Sequence, residues 1–512
     1  MNRSALSVVR SLLDIYSSRA SSRLVVLATM GTGFYLLVRG GSTGSPMGAI
    51  PFLVLLWANH QRFLDTVESL LARRGWLVLA VPLLVFASKF LLAPPVASDD
   101  LLRHLVSRFW PGGYAEMYVY ASLPPFELYP AFDWLAGSLA LAIGPAPAMW
   151  VFQAAAVGGF VVVFSTVGRR LTGDSPMRAV LVLVALVLVL QIMGSRLFLA
   201  RPEIFMTIWA LAAPLAKRRP AVAAWCVTGL ALGAGYWLAV LYFPAAILLA
   251  LGARRRLVLF AGLTLSWFVL WWWMTDGRLV EALMWTFEQV GRREPGIAIS
   301  ENASILNVIL MPQFLALFIG AAWAWSRGGG RTEFLLLAGY FLLSNQARYG
   351  GIVAPLLALY VLSGLDDRQF RWPRYSRSVA TALGAMALSV LSNGVPRLAH
   401  LPQFALSEGA VVLTGLVGGS YSTTFANPGK VRVAPPFEIG ALAPDVQRLV
   451  RDLDRGRLDC GALRRYAFTH VIEPSLSGPA PPCLRLEETR SGWRLWRIDP
   501  GAVDEREGGV AR

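Results

Sequence analysis

The sequence is poor in acidic residues, in histidine and in cysteine. Its 512 residues include 31 Asp and Glu against 47 Lys and Arg, with only four His and three Cys. Three cysteines are too few for a disulfide scaffold, and no group of His and Cys has the spacing of metal ligands. A P-loop and a dinucleotide-binding fingerprint are also absent, so no metal site and no ATPase element is predicted.

Charged residues of either sign are scarce. They make up 15% of the chain, whereas hydrophobic residues make up 55%, and a soluble domain has about 25% charged residues. We therefore expect most of the chain to lie among membrane lipids. The net charge of +16 could indicate nucleic acid, but the basic residues form short clusters between apolar runs, which is the pattern of membrane topology. No nucleic-acid partner is predicted.

The apolar runs predict an all-α polytopic membrane protein with about 11–13 transmembrane helices, since each crossing needs about 20 apolar residues. The first two runs are the weakest and could instead form a re-entrant hairpin. The first run follows a long Arg-containing segment, so no cleavable signal peptide is expected. The candidate runs are 24–38, 47–60, 75–94, 146–168, 178–194, 203–217, 220–235, 238–253, 257–274, 305–325, 332–345, 350–364 and 376–393.

The arginine clusters orient these runs. With a cytoplasmic N-terminus, clusters such as Arg169–Arg170 and Arg254–Arg256 all fall on the cytoplasmic side, as the positive-inside pattern requires. The loops 95–145 and 275–304 and the C-terminus are then outside. The run Phe132–Ile143 cannot cross without reversing this order, so we interpret it as an amphipathic helix on the outer interface. The predicted location is a bacterial inner membrane, spanned several times.

The composition changes at about residue 395, where apolar runs shorten and charges and prolines interleave. We predict a transmembrane domain over 1–394, a small extracytoplasmic α/β domain over 395–500 and a disordered tail over 501–512. A disulfide between Cys460 and Cys483 is left open. Asp445 is predicted to cap a helix that carries Val446, Leu449, Val450 and Leu453 on one face. The predicted strands are Lys430–Ala434, Ala467–Glu473, Leu484–Glu487 and Trp493–Ile498.

The first candidate site is the acidic pair Asp99 and Asp100, which opens the first outer loop. A transferase that adds a group to a hydroxyl needs a carboxylate to accept the hydroxyl proton, and carboxylates at a membrane boundary are typical of functional sites. Alternatively the pair simply caps a helix over Leu101–Phe109. Both can hold, with one Asp as cap and the other, with Asp99 slightly preferred, as base.

Two further sites contain arginines on the outer side, against the topological pattern. Arg201 precedes Glu203, and Arg348 precedes Tyr349. A phosphate suits the fork of guanidinium donors. The alternatives are an ion pair of Arg201 with Glu203, and an interfacial Arg–Tyr anchor at the second site.

Three stretches carry a family resemblance. They are the pair Asp99-Asp100, the stretch Phe126–Leu135 with its proline before an apolar helix, and Ser344–Pro355 with its serine, Arg-Tyr and proline. In order and topology the chain resembles GT-C-type glycosyltransferases, especially lipid A aminoarabinose transferases and protein O-mannosyltransferases.

This resemblance implies an inverting transfer of a sugar from a polyprenyl-phosphate donor to a glycan, lipid or protein acceptor. Asp99 or Asp100 would be the base, or would orient the acceptor. Arg201 and Arg348 would hold the lipid phosphate, and we also assign Arg103, His104, Glu203 and Tyr349 to substrate or phosphate binding. No soluble cofactor is implied, and a divalent cation is left open. The alternatives are a lipid-linked glycan flippase or other transporter, and a non-catalytic assembly subunit.

Overall fold

The computed structural model describes most of the chain between residues 101 and 499, and the described residues are mainly helical. The predicted runs 24–38, 75–94 and 376–393, the pair Asp99-Asp100 and the tail 501–512 lie outside the described residues. Apart from isolated positions, the described ranges are 101–121, 129–172, 176–232, 244–250, 254–281, 312–326, 347–364, 403–415, 417–434, 442–454, 458–474, 481–490 and 492–499.

Helices occupy the apolar runs that the sequence analysis identified in this part of the chain. Each of the runs 146–168, 178–194, 220–235, 257–274 and 350–364 coincides closely with one helix, because long apolar segments bury their backbone polar groups by helix formation. The helices are α1 Leu101–Val106, α2 Tyr114–Met117, α3 Pro130–Ile143, α4 Pro145–Thr172, α5 Pro176–Leu199, α6 Pro202–Leu211, α7 Arg219–Leu232, α8 Leu257–Met274, α9 Pro312–Ser326, α10 Ala347–Ser363, α11 Val417–Ala426, α12 Pro444–Asp454 and α13 Cys460–Arg465.

Within the described residues, two helical segments are long and apolar enough to cross a membrane. They are Pro145–Thr172, and Arg254–Met274, which joins a short 3₁₀ turn to α8. In the most apolar part of the first segment 56% of the residues are buried within the protein, against 6% in the second. The exposed side chains of α8 include Leu265, Val269, Trp272 and Trp273.

Helix α1, in the loop 95–145, is only six residues long. An isolated helix of this length is unstable in water, yet every residue of α1 is buried. It packs against α3, α4 and α11 and is followed by a 3₁₀ turn at Ser107–Phe109. Tertiary packing therefore holds α1 in place.

Helix α3 covers the run for which an amphipathic helix was predicted. Proline at its first position suits a helix start, where no hydrogen-bonded N–H is needed. Its buried stripe contains Asp133, with Phe132, Ala136, Gly137 and Ala140. The prediction is wrong about polarity, because the outer face is apolar as well: Trp134 is 61% exposed, and Leu135, Leu141 and Ile143 are also exposed.

A five-stranded mixed sheet lies in the C-terminal part, in the order β2-β1-β3-β5-β4. Strand β1 pairs in parallel with β2 and β3, whereas β5 is antiparallel to β3 and β4. All four predicted strands are confirmed, and β1 is an addition. The strands are β1 Val411–Thr414, β2 Arg432–Ala434, β3 His470–Pro474, β4 Leu484–Arg490 and β5 Trp493–Ile498.

The two faces of the sheet pack into different apolar clusters. One face contributes Val412, Val433, Ile472 and Leu495 to the cluster that also contains α1 and the long helices. The other face packs against α12 and α13 in a separate cluster. The predicted buried face of α12 is confirmed, because Val446, Leu449, Val450 and Leu453 are all buried there.

The segment after α2 pairs with the C-terminal part through its backbone. The Val119 amide donates to the Val433 carbonyl at 3.0 Å, and the Ala443 amide donates to the Tyr120 carbonyl at 3.0 Å. The Tyr120 hydroxyl also donates to the carbonyl of Tyr466, and the two rings are 5.1 Å apart. The first outer loop is thus joined to the C-terminal sheet at its edge.

The open question about the cysteines is settled by a disulfide between Cys460 and Cys483, whose Cα atoms are 5.9 Å apart. Asp445 lies inside the first turn of α12 rather than at its cap, since the helix begins at Pro444. Its carboxylate accepts hydrogen bonds from Arg448 and from the Tyr466 hydroxyl, and these bonds, that of Arg448 first, lower the pKa of Asp445.

Candidate functional site

The candidate site is built around α1, the helix that directly follows Asp99 and Asp100. The pair itself lies outside the described residues, so its roles as cap or base stay predictions. The buried position of α1 nevertheless places the beginning of the helix next to α3, α4 and α11.

His104 makes the central polar contact of α1. Its Nδ1 atom is in hydrogen-bond contact with Oδ1 of Asp133 on α3, and both side chains are almost fully buried. The Tyr114 hydroxyl donates to the same Asp133 oxygen at 2.9 Å and lies 3.1 Å from His104 Nδ1. Buried polar groups are stable when they bond to each other in this way. We call His104, Tyr114 and Asp133 the His–Asp–Tyr cluster.

Aromatic rings enclose this cluster. The His104 ring makes edge contacts with Tyr129 and Phe132, with centroid distances of 5.7 and 5.1 Å. The Arg103 guanidinium lies over the Tyr114 ring at 5.3 Å and is only 8% exposed, a geometry that favours a cation–π contact. Phosphate binding by Arg103 and His104 stays a prediction; both side chains are buried within the protein.

Arg201 lies at a sharp junction between α5 and α6. Ala200 has a positive φ of 47°, which turns the chain directly after α5, and Arg201 is the extended residue before Pro202 opens α6. Arg201 Nη1 lies 3.8 Å from Glu203 Oε1, with side-chain exposures of 17% and 16%. The ion pair considered from the sequence is therefore present, and both groups keep a partly accessible surface.

A chain of aromatic contacts brings this junction to the side of α1. Phe132 contacts His104 on one side, and its ring centroid is 5.6 Å from that of Phe205 on the other. Phe205 lies one helical turn after Arg201 in α6. Helices α1 and α6, about a hundred positions apart in the sequence, are thus neighbours around Phe132.

The third predicted site lies at the beginning of α10. Arg348 and Tyr349 belong to the first turn of that helix, which begins at Ala347 rather than at residue 350. Their side chains lie outside the described residues, so phosphate binding there stays a prediction. Helix α10 packs against α4, α5 and α6.

Sequence reasoning did not select Asp133 or Tyr114. A signal for Asp133 was present: the carboxylate stands on the apolar stripe of α3, three and four positions before Ala136 and Gly137. A carboxylate at such a position must find a partner when it is buried. Tyr114 carried no comparable signal, because it follows a turn and its partner is distant in sequence.

Among the described residues, no three His, Cys, Asp or Glu side chains come together in a way that could hold a metal ion. The His–Asp–Tyr cluster contributes only one imidazole and one carboxylate.

No model of a known protein family matches the sequence, and no curated protein matches it. The structure is similar to that of the archaeal oligosaccharyltransferase AglB from Archaeoglobus fulgidus in complex with an inhibitory peptide and a dolichol-phosphate. The identity is 10% and the TM-score 0.48, over 79% of this chain and 70% of that chain. A crystal structure of the Archaeoglobus fulgidus oligosaccharyltransferase in the apo form is also similar, with 12% identity and a TM-score of 0.44 over 77% and 69%.

A third similar structure is the same archaeal enzyme tethered to an acceptor peptide through a disulfide bond, at 12% identity and a TM-score of 0.44 over 79% and 69%. All three of these structures are of archaeal oligosaccharyltransferases.

Proposed function

We propose that this protein is an integral membrane glycosyltransferase of the GT-C type that uses a polyprenyl-phosphate-linked sugar. It transfers the sugar, with inversion, to a glycan, lipid or protein acceptor at the outer face of a bacterial inner membrane. The N-terminus is cytoplasmic in this proposal, the chain crosses the membrane several times, and the part after about residue 395 is extracytoplasmic.

The observation that supports this proposal is the position of Phe132 between α1 and α6. Helix α1 follows the acidic pair in the sequence, and α6 begins directly after Arg201; Phe132 contacts His104 in the first helix and Phe205 in the second. An acid–base group and a phosphate-binding cation are the two elements that such a transfer requires. The apolar outer face of α3 further supports a position against lipid.

In the proposed mechanism, Asp99 or Asp100 accepts the proton of the acceptor hydroxyl while that oxygen attacks the anomeric carbon. The bond between this carbon and the phosphate oxygen breaks, and the electron pair leaves with the prenyl phosphate. Arg201 and Arg348 stabilise the charge that develops on the phosphate. Glu203 and Tyr349 orient these two arginines.

The test uses a deletion strain complemented with wild-type protein, with Asp99→Asn plus Asp100→Asn, or with Asp276→Asn. Asp276 is an exposed carboxylate after α8 with a positive φ of 49°, a conformation that asparagine tolerates; it is the matched control. Mass spectrometry of envelope glycans and prenyl-linked sugars is the readout. We expect the double variant, at wild-type protein level, to accumulate prenyl-phosphate sugar as the deletion does, and the control to restore the product.

A second assay separates transfer from transport. Purified protein in detergent is mixed with the prenyl-phosphate lipid fraction of the deletion strain and a cell-envelope extract as acceptor. A transferase consumes the prenyl-phosphate sugar without a membrane, whereas a flippase has no compartments to act between. Wild-type protein that leaves this fraction unchanged, or a double variant that consumes it at the wild-type rate, would contradict the proposal.

A further inference from the structure

We propose that the His–Asp–Tyr cluster is a positioning element for the catalytic aspartate, and that it acts by fixing the orientation of α1 relative to α3. This inference rests on the proposed function, since it concerns the site at Asp99 and Asp100. In this proposal His104 is a positioning residue in place of the substrate-binding role predicted from the sequence. Tyr114 and Asp133 are positioning residues as well, and none of the three touches the substrate.

The first step of the argument is the geometry of α1. His104 is the fourth residue of this six-residue helix, which directly follows Asp99 and Asp100 in the sequence. All side chains of α1 are buried, but most of them are aliphatic. Aliphatic packing has no directional preference, so it leaves rotation of a short helix about its axis poorly defined.

The second step is the direction that the cluster supplies. The Asp133 carboxylate receives two contacts from different elements: Nδ1 of His104 in α1 and the hydroxyl of Tyr114 in α2. Hydrogen bonds to a carboxylate are directional and stronger than those between neutral groups. Together they define how α1 and α2 are oriented against α3.

The third step is the enclosure of these contacts. The edge contacts of Tyr129 and Phe132 with the His104 ring leave His104 at 0% and Asp133 at 2% exposure. Hydrogen bonds in such low-dielectric surroundings are strengthened electrostatically. Phe132 is also the ring that contacts Phe205 in α6. Phe132 therefore links the surroundings of this cluster to α6, the helix that follows Arg201.

The decisive comparison is His104→Asn against His104→Gln. The asparagine amide nitrogen takes the place of Nδ1, the atom that meets Asp133, whereas the glutamine amide takes the place of Nε2. Both variants are neutral, polar and close in size. If His104 acts through packing or polarity alone, the two variants should lower the transfer rate to a similar extent. If His104 acts by positioning α1, only His104→Asn should keep the wild-type rate.

The assay measures how fast purified protein in detergent consumes the prenyl-phosphate lipid fraction of the deletion strain. The lipid fraction is supplied at several dilutions, which gives the maximal rate and the concentration at half-saturation. We expect His104→Gln to lower the maximal rate about a hundredfold, as misplacement of a catalytic group does, with unchanged half-saturation. His104→Asn should stay within about threefold of wild type. Tyr114→Phe, which keeps the ring under Arg103 and removes one donor, should lower the maximal rate about tenfold, the value of one hydrogen bond to a charged group.

Ser138→Ala is the matched control, because Ser138 lies on α3, contacts Arg108 and is outside the cluster. Thermal unfolding of each variant is recorded, and rates are compared well below the lowest midpoint. Equal rates for His104→Gln, Tyr114→Phe and wild type would overturn the positioning role. A loss of activity in the Asp99–Asp100 double variant would still support the proposed function in that case. Losses that merely follow the folded fraction would also overturn it. Wild-type protein that consumes nothing would overturn both proposals.

Discussion

Gly429 lies against the backbone of Phe109, and its replacement by alanine tests this contact between the C-terminal part of the chain and the segment after α1. Gly429 has a φ of +74°, and a Cβ atom there would lie 2.8 Å from the carbonyl oxygen of Phe109. The left-handed conformation costs alanine about 1 kcal/mol, and a methyl group forced against backbone costs about 1–3 kcal/mol. We expect Gly429→Ala to lower the free energy of unfolding by about 3 kcal/mol.

Gly409 provides the matched control. Its φ of +82° is nearly the same, but nothing lies within 4 Å of its Cβ position. Gly409→Ala should therefore cost only the conformational term of about 1 kcal/mol. The measurement is urea unfolding in detergent, followed by tryptophan fluorescence.

Gly429→Ala should also slow sugar transfer, because Phe109 ends the 3₁₀ turn that follows α1. Gly409→Ala should leave the transfer rate unchanged. Equal loss of stability in the two variants would refute the reasoning, since it would mean that the close approach to Phe109 contributes nothing.

Three further predictions concern stability. Gly229→Ala places a methyl group 2.1 Å from the Trp209 ring and should lower the free energy of unfolding by about 1–3 kcal/mol. Gly158→Ala meets nothing within 4 Å and should raise it by about 0.5–1 kcal/mol. Thermal unfolding measures both, and the reverse order would contradict the packing described. Cys460→Ser removes the disulfide between two positions that are 23 apart and should lower the free energy of unfolding by about 3 kcal/mol. A reductant should destabilise the wild type by the same amount and leave the variant unchanged. Burial lowers the pKa of His470, so the folded protein prefers the neutral ring. The stability that this group contributes is full above about pH 6.5 and is lost as the pH falls. The thermal unfolding midpoint of the wild type should therefore drop more between pH 7 and pH 5 than that of His470→Gln, and parallel curves would contradict this prediction.

The helices were predictable because long apolar runs leave few alternatives. The runs 146–168 and 257–274 lie within helices whose bounds differ from the prediction by a few residues. The C-terminal strands were predictable where apolar and polar residues alternate, as in β5. Strand β1 was not recognised, because its residues Val411–Thr414 are all buried, and a short, fully apolar run shows no period of two.

The site was predictable only in part. The acidic pair and the outer arginines stand out locally, since each violates a composition or topology rule. The His–Asp–Tyr cluster joins residues 104, 114 and 133, and its partners are set by the packing of α1, α2 and α3 rather than by any local pattern. The polarity of α3 was mispredicted for a related reason: the argument from topology required a helix at an interface but contained no information about what covers its outer face.

The shared core of the sheet and α1 changes what counts as a separable part of this protein. A break in composition near residue 395 invites truncation there, or exchange of the C-terminal segment between homologues. Either cut would expose the sheet face that bears Val412 and Leu495 and would leave Val433 without its backbone partner Val119. A chimaera should therefore exchange residues 101–121 together with the C-terminal segment, because backbone hydrogen bonds and a shared apolar cluster join these two stretches even though some three hundred residues separate them.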